Sequence, residues 1–208
     1  MPAVPLAPGV HPLGIGGRRD GLLWVPDGVA TPGPVLLWLH GAGGDATGTV
    51  RLIEAPARRA GVPLLVPESR LATWDVIARG FGPDVAFLDA ALGRAFDLLA
   101  VDPDRVAIGG FSDGASYALS LGLANGDLFR AILAFSPGFA APSDAVGRPA
   151  VFVSHGVADA VLPIGPCSRR LVPRLRRAGY DVRYEEFEGG HVIPEAVAEA
   201  ALRLLGPG

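Results

Sequence analysis

The chain reads as one α/β domain, a mostly parallel sheet with helices on both faces. Three observations say so. Short apolar runs of strand length alternate with longer segments of helical spacing. Several of those runs are unbroken Val, Ile and Leu, as strands covered on both faces require. The 208 residues, half of them hydrophobic and 19% charged, suffice for one sizeable core and fit a single domain over 1–208 better than two.

The elements follow in order. "GLLWV" is a strand closed by a Pro/Gly turn, and "PVLLWLHGAGG" is a buried strand running into a glycine loop. Residues 49–60 read as a helix and "VPLLVPES" as the next strand. A long helix is expected over 84–100, where Val85, Phe87, Leu88, Ala91, Leu92, Ala95, Leu98 and Leu99 recur at helical spacing. Then come the strand "RVAIGGF", a helix over 113–124, the strands "AILAFS" and "AVFVSHG", a helix over 165–178, the strand "DVRYEEF" and a helix over 194–205.

Composition excludes several classes of function. A net charge of −3 and a pI near 5.8 leave no footprint for a polyanion, so no nucleic-acid partner is expected. The one basic cluster, Arg169, Arg170, Arg174, Arg176 and Arg177, reads as the solvated face of a helix. Cys167 stands alone, which rules out an internal disulfide and suits a small packing residue. No uncharged apolar run approaches the roughly 20 residues of a membrane helix, and the Pro-rich start does not resemble a secretory signal. The expectation is a cytoplasmic protein without membrane insertion, either monomer or homodimer. No His/Cys/Asp set has metal-ligand spacing, and the glycine loops lack a Walker lysine, so neither metal nor other cofactor is expected.

In open parallel sheets, ligands sit beyond the carboxyl ends of the strands. The polar residues there are few. "PVLLWL" is followed by His40-Gly41-Ala42-Gly43-Gly44-Asp45, "VAIGGF" by Ser112, "AVFVSHG" by Asp159, and "DVRYEEFEGG" by His191. Gly110, Ser112 and Gly114 form G-x-S-x-G, weak evidence alone in a chain with 29 glycines. Ser, Asp and His at three successive corners, in the chain order of the α/β-hydrolase topology, are far more specific. Serine at a tight strand-to-helix turn stands clear of the sheet, with glycines where backbone must pass close by. Its hydroxyl needs a base, for which His191 is the candidate. Asp159 would hold that imidazole's tautomer, and Glu185, Glu186 and Glu188 read as surface groups. The oxyanion donors expected of this topology are the amides of Asp113 and Ala42. His40 and His155 read as scaffold histidines and His11 as exposed.

"LHGAGGD", "GGFSDGAS", "HGVADAVLPI" and "GGHVIPEAV" resemble the signatures of small serine α/β-hydrolases, nearest the phospholipase/carboxylesterase family and the polyhydroxybutyrate-depolymerase-like esterases. The resemblance runs from about residue 20 to 205. It departs from the carboxylesterase pattern GFSQGG at Asp113 and Ala115, which leaves the branch and its substrate open. Dienelactone hydrolases, similar in size, use a cysteine nucleophile, against which Ser112 argues.

The reading implied is an α/β-hydrolase fold and a cofactor-independent serine carboxylic-ester hydrolase. It would act on a small-molecule ester with an apolar acyl group through an acyl-Ser112 intermediate. Only "PGFAAPSDAVGR" separates two late strands, too little for a lid domain, so an open, shallow site is expected. The irregular stretch "SRLATWDVIARGFGPDV" should lie near its mouth. Trp74 either walls the pocket or packs under its own loop; Phe139, Val161, Leu162 and Val192 are the other candidates to line it. Acyl transfer or perhydrolysis on the same triad, peptidase action, and a catalytically silent binding protein are the alternatives.

Overall fold

The computed structural model describes residues 6–78 and 80–206. Its frame is an eight-stranded sheet: β1 (Gly9–Pro12), β2 (Gly21–Val25), β3 (Gly33–Leu39), β4 (Leu64–Pro67), β5 (Val101–Phe111), β6 (Ala131–Phe135), β7 (Ala150–Gly156) and β8 (Val182–Phe187). The spatial order is β1-β2-β4-β3-β5-β6-β7-β8. β2 pairs antiparallel with both β1 and β4, and every later pairing is parallel.

The helices are α1 (Ala46–Ala60), the short α2 (Asp75–Ala78), α3 (Pro83–Leu98), α4 (Asp113–Ala124), α5 (Ser168–Arg177) and α6 (Glu195–Leu202), the last continued by a 3₁₀ turn over Arg203–Leu205. Strand alternation divides the core in two. Val35, Leu37 and Leu39 of β3 pack with α3, α4 and α5, while Leu36 and Trp38 pack with α1 and α6 on the other face. Both sheet faces are therefore covered, which is why the strands are apolar without a break. No described helix is long and apolar enough to cross a membrane.

Several expected boundaries move for local reasons. α1 begins at Ala46 rather than 49, because the Asp45 carboxylate accepts the Gly48 N–H and caps it. α5 begins at Ser168, after a turn over 164–167 that contains Gly165 and Pro166. α3 ends at Leu98, since Leu99 is already extended at φ −121°. Val85 points outward, and the buried first-turn residue of α3 is Asp84. β1 and α2 were not expected. β1 is four residues with alternating exposure at the sheet edge, and α2 is a single turn held by contacts distant in sequence.

Candidate active site

β5 delivers Ser112, and the turn is tight enough to force its backbone into φ 58°, ψ −119°, a conformation that costs a non-glycine residue about 1–3 kcal/mol. Ser112 N–H donates to the Phe135 carbonyl at 2.9 Å, so the strained residue is pinned to the end of β6. The motif glycines are there for space. A Cβ on Gly110 would lie 2.5 Å from the Gly114 carbonyl carbon, and one on Gly114 would overlap the Leu39 carbonyl. Gly41 packs against Ser112 itself, its own Cβ position lying 3.4 Å from the serine Cβ.

The turn Gly41–Gly44 and the start of α4 supply free donors. Gly44 N–H is used by Gly41 O, and Gly43 N–H by Ala72 O at 2.7 Å. The Ala42 and Asp113 amides donate to no group among the described residues. These are the two amides expected for the oxyanion, on either side of the Gly41–Ser112 contact. α4 adds the positive end of its dipole.

The acid and base meet because the parallel pairing of β7 and β8 continues into the two corners. Val157 N–H donates to Phe187 O at 3.0 Å and Ala158 N–H to Gly189 O at 2.9 Å. Gly156 leaves room for this, since a Cβ there would strike the Gly189 and Gly190 carbonyls. Asp159 thereby faces His191, whose Nδ1–H donates to Oδ2 at 2.6 Å, leaving Nε2 as the proton acceptor. The other oxygen, Oδ1, accepts Val161 N–H at 2.9 Å and Leu162 N–H at 2.8 Å. Burial alone would raise the Asp159 carboxyl, but the hydrogen bonds from His191 and these amides outweigh it and hold the group below its usual range. The His191 ring lies 4.6 Å, centroid to centroid, from Phe111, the residue before Ser112. Among the described residues no hydrogen bond joins Ser112 to His191, whose one bond is to Asp159.

His40 and His155 are bonded within the fold. His40 Nε2 accepts Ser69 N–H, so its Nδ1–H donates to Gly41 O at 2.7 Å and sets the glycine turn. His155 Nε2–H donates to Leu162 O at 2.7 Å and its Nδ1 accepts the Ser168 hydroxyl. Burial pushes both imidazoles below their ordinary pKa. His155 does more than was foreseen, because Nε2 also lies 3.3 Å from Asp159 Oδ2.

Among the candidate lining residues, Trp74 is a correction. It is 0% exposed, stacks between His40 and Tyr117 at 4.7 and 5.3 Å, and donates its N–H to the His40 carbonyl at 2.8 Å. It packs under its loop and walls no pocket. The loop itself borders the site, through Ala72 at Gly43 and through Thr73, whose hydroxyl donates to the Asp113 carboxylate at 2.7 Å. Behind it, Tyr117 donates to Asp75, and Asp75 and Asp84 accept each other's backbone N–H groups. Phe139, Val161 and Val192 are 37%, 65% and 52% exposed, with Leu162 half-buried beside Asp159. Glu186 is held by Arg169 and Tyr184, and Glu188 is exposed, so neither competes with Asp159.

This sheet order, with a strained serine after β5 and an Asp–His pair after β7 and β8, defines an α/β-hydrolase. The phospholipase/carboxylesterase family model matches residues 85–205, more than half of the chain, and the chain belongs to that family. Feruloyl esterase C of Emericella nidulans is 31% identical over 157 residues, 70% of this chain and 57% of that protein. A probable feruloyl esterase C of Aspergillus oryzae is 30% identical over 169 residues, 76% of this chain and 60% of its own. The chain thus spans less than two thirds of these curated relatives. Among solved structures, esterase PE8 aligns with a TM-score of 0.72 at 26% identity, over 91% of this chain and 98% of its own. A carboxylesterase from Mesorhizobium loti aligns at 0.71 and 22% identity, over 96% of this chain and 100% of its own, a likeness of fold.

Proposed function

We propose that the chain is a serine carboxylic-ester hydrolase with Ser112 as nucleophile, His191 as general base and acid, and Asp159 as the group that orients the imidazole. One observation carries this reading. A serine in strained backbone sits beside two unused amides, next to a histidine whose tautomer an acid already sets. In the reaction, Ser112 Oγ attacks the ester carbonyl carbon while His191 Nε2 takes its proton. The Ala42 and Asp113 N–H groups stabilise the oxyanion, each worth roughly 10²–10³ in turnover. The C–O bond to the alcohol then breaks as His191 protonates the leaving oxygen, and water, deprotonated by the same imidazole, releases the acid from acyl-Ser112.

The exposed apolar residues at the corners, Phe139, Val161 and Val192, favour a neutral substrate with an apolar acyl group. The relatives called feruloyl esterase put feruloyl esters in the test panel beside straight-chain ones. The decisive experiment is intact-mass analysis after a fluorophosphonate probe, with peptide mapping. A single adduct on Ser112, lost in a folded His191→Ala variant, is the expected result. Folded protein that takes up no probe would leave a hydrolase fold without an activated serine.

A further inference from the structure

Ser112 precedes α4, whose own serines at 116 and 120 follow about one helical turn apart and are used unusually. Ser116 Oγ donates to the Ser112 carbonyl at 3.2 Å and accepts Gly138 N–H at 2.9 Å. Ser120 Oγ donates to the Ser116 carbonyl at 2.7 Å and accepts Ala141 N–H at 3.0 Å. A serine hydroxyl in a helix ordinarily bonds back four residues and stops there. Here each hydroxyl also receives an amide from the β6–β7 connection. That connection is fastened further along α4, where Val146 N–H donates to Leu123 O at 2.9 Å. It starts at Ser136, itself held at φ 50° with its N–H on Ser154 O. It is thus a strap latched along the nucleophile helix.

The latches at Gly138 and Ala141 bracket Phe139 and Ala140. Ala140 packs against the core, while Phe139 is left 37% exposed. A Cβ on Gly138 would lie 3.6 Å from a Leu162 methyl, and Leu162 is the residue whose amide holds Asp159. Phe139 thus presents an exposed apolar side chain from backbone held on both sides, with the Gly138 latch one helical turn from the nucleophile. The leaving alcohol takes its proton from His191 Nε2, and the strap latched to the nucleophile's own helix offers the acyl chain an apolar surface.

We propose that Phe139, with Leu162, is the wall against which the acyl chain of the ester lies, and that Ser116 and Ser120 are positioning residues that hold this wall and so set acyl-length preference. This rests on the serine-hydrolase reading above. The surface selects neutral, extended acyl chains over acetyl, because each added methylene covers the exposed ring.

The test is a panel of p-nitrophenyl esters from acetate to octanoate, with kcat/KM measured for the wild type, Phe139→Ala, Ser116→Ala with Ser120→Ala, and the triple variant. Phe139→Ala should lower the octanoate-to-acetate ratio by about tenfold, within the range by which apolar pockets discriminate. Removing the two hydroxyls should lower the same ratio, and in that background Phe139→Ala should add little, since the ring is no longer held. An unchanged ratio in Phe139→Ala overturns the wall, and independent, multiplicative effects overturn the latch. Phe139 is partly exposed, so its variant keeps the wall testable if the serine variants do not fold. A wild type without a Ser112 adduct sinks the hydrolase reading and the wall together; a normal adduct with an unchanged ratio sinks the wall alone.

Discussion

One carboxylate oxygen serves two histidines: Asp159 Oδ2 lies 2.6 Å from His191 Nδ1 and 3.3 Å from His155 Nε2. The two imidazoles differ in every other respect. His191 keeps a free Nε2 and partial exposure at the mouth, whereas His155 is fully buried with both nitrogens engaged. The first is placed to take up a proton, and the second is held neutral and shapes the acid.

Removing the nucleophile tests the chemistry most directly. Ser112→Ala should reduce kcat by about 10⁶, by analogy with triad deletions in another serine hydrolase. Asp159→Asn should cost about 10⁴ with the fold intact, because an amide leaves His191 in the wrong tautomer. Steady-state assays on protein of unchanged circular dichroism measure both, and wild-type turnover in either variant contradicts the assignment.

His155 should reveal itself in the pH profile. Replacing His155 removes a polar N–H that lies 3.3 Å from Asp159 Oδ2, and the more basic carboxylate then holds the His191 imidazolium more strongly. His155→Phe should therefore move the acid limb of kcat/KM to higher pH, and His155→Gln, which retains an N–H, should move it less. A profile that keeps its shape while only its height falls would make His155 a packing residue.

Trp74 governs stability and touches no substrate. It is enclosed by His40, Tyr117 and its own loop, and truncating a buried aromatic of this kind costs about 3–5 kcal/mol. Urea unfolding of Trp74→Ala should show a loss of that order. A variant with wild-type stability would mean the loop does not need its stack.

Stability should also fall on acidification through the histidine range. Burial is the main reason that His40 and His155 stay neutral in the fold, below their ordinary pKa. The unfolded chain gains those protons as pH drops below about 6.5 and the folded chain does not, so unfolding becomes easier. Asp84 works against this, since burial raises its carboxyl and the folded chain binds that proton first. The urea midpoint should decline from pH 7.5 to 5.5, and less steeply in His155→Gln. A flat midpoint would mean the two imidazoles titrate within the fold.

The sequence by itself determined the order of strands and helices apart from β1 and α2, and the corners bearing Ser112, Asp159 and His191. Both rest on local rules, since unbroken apolar runs mark buried strands and the chemistry follows immediately after them. The same topology led to the expectation that His40 and His155 are hydrogen-bonded within the fold, as their partners Gly41, Ser69, Leu162 and Ser168 are placed to do. Only the tertiary structure decided the rest. Trp74 is buried because the end of β3, α4 and its own 68–74 segment converge on it, and no window of sequence contains all three. α2 and the buried Asp84 depend on the same convergence, since Asp75 and Asp84 are satisfied by each other's backbone and by Tyr117. The latches on Ser116 and Ser120 left a trace in their four-residue spacing, but such spacing is common on any helix. What made it functional was the strap from β6 to β7 crossing that face, a contact between segments about 20 residues apart.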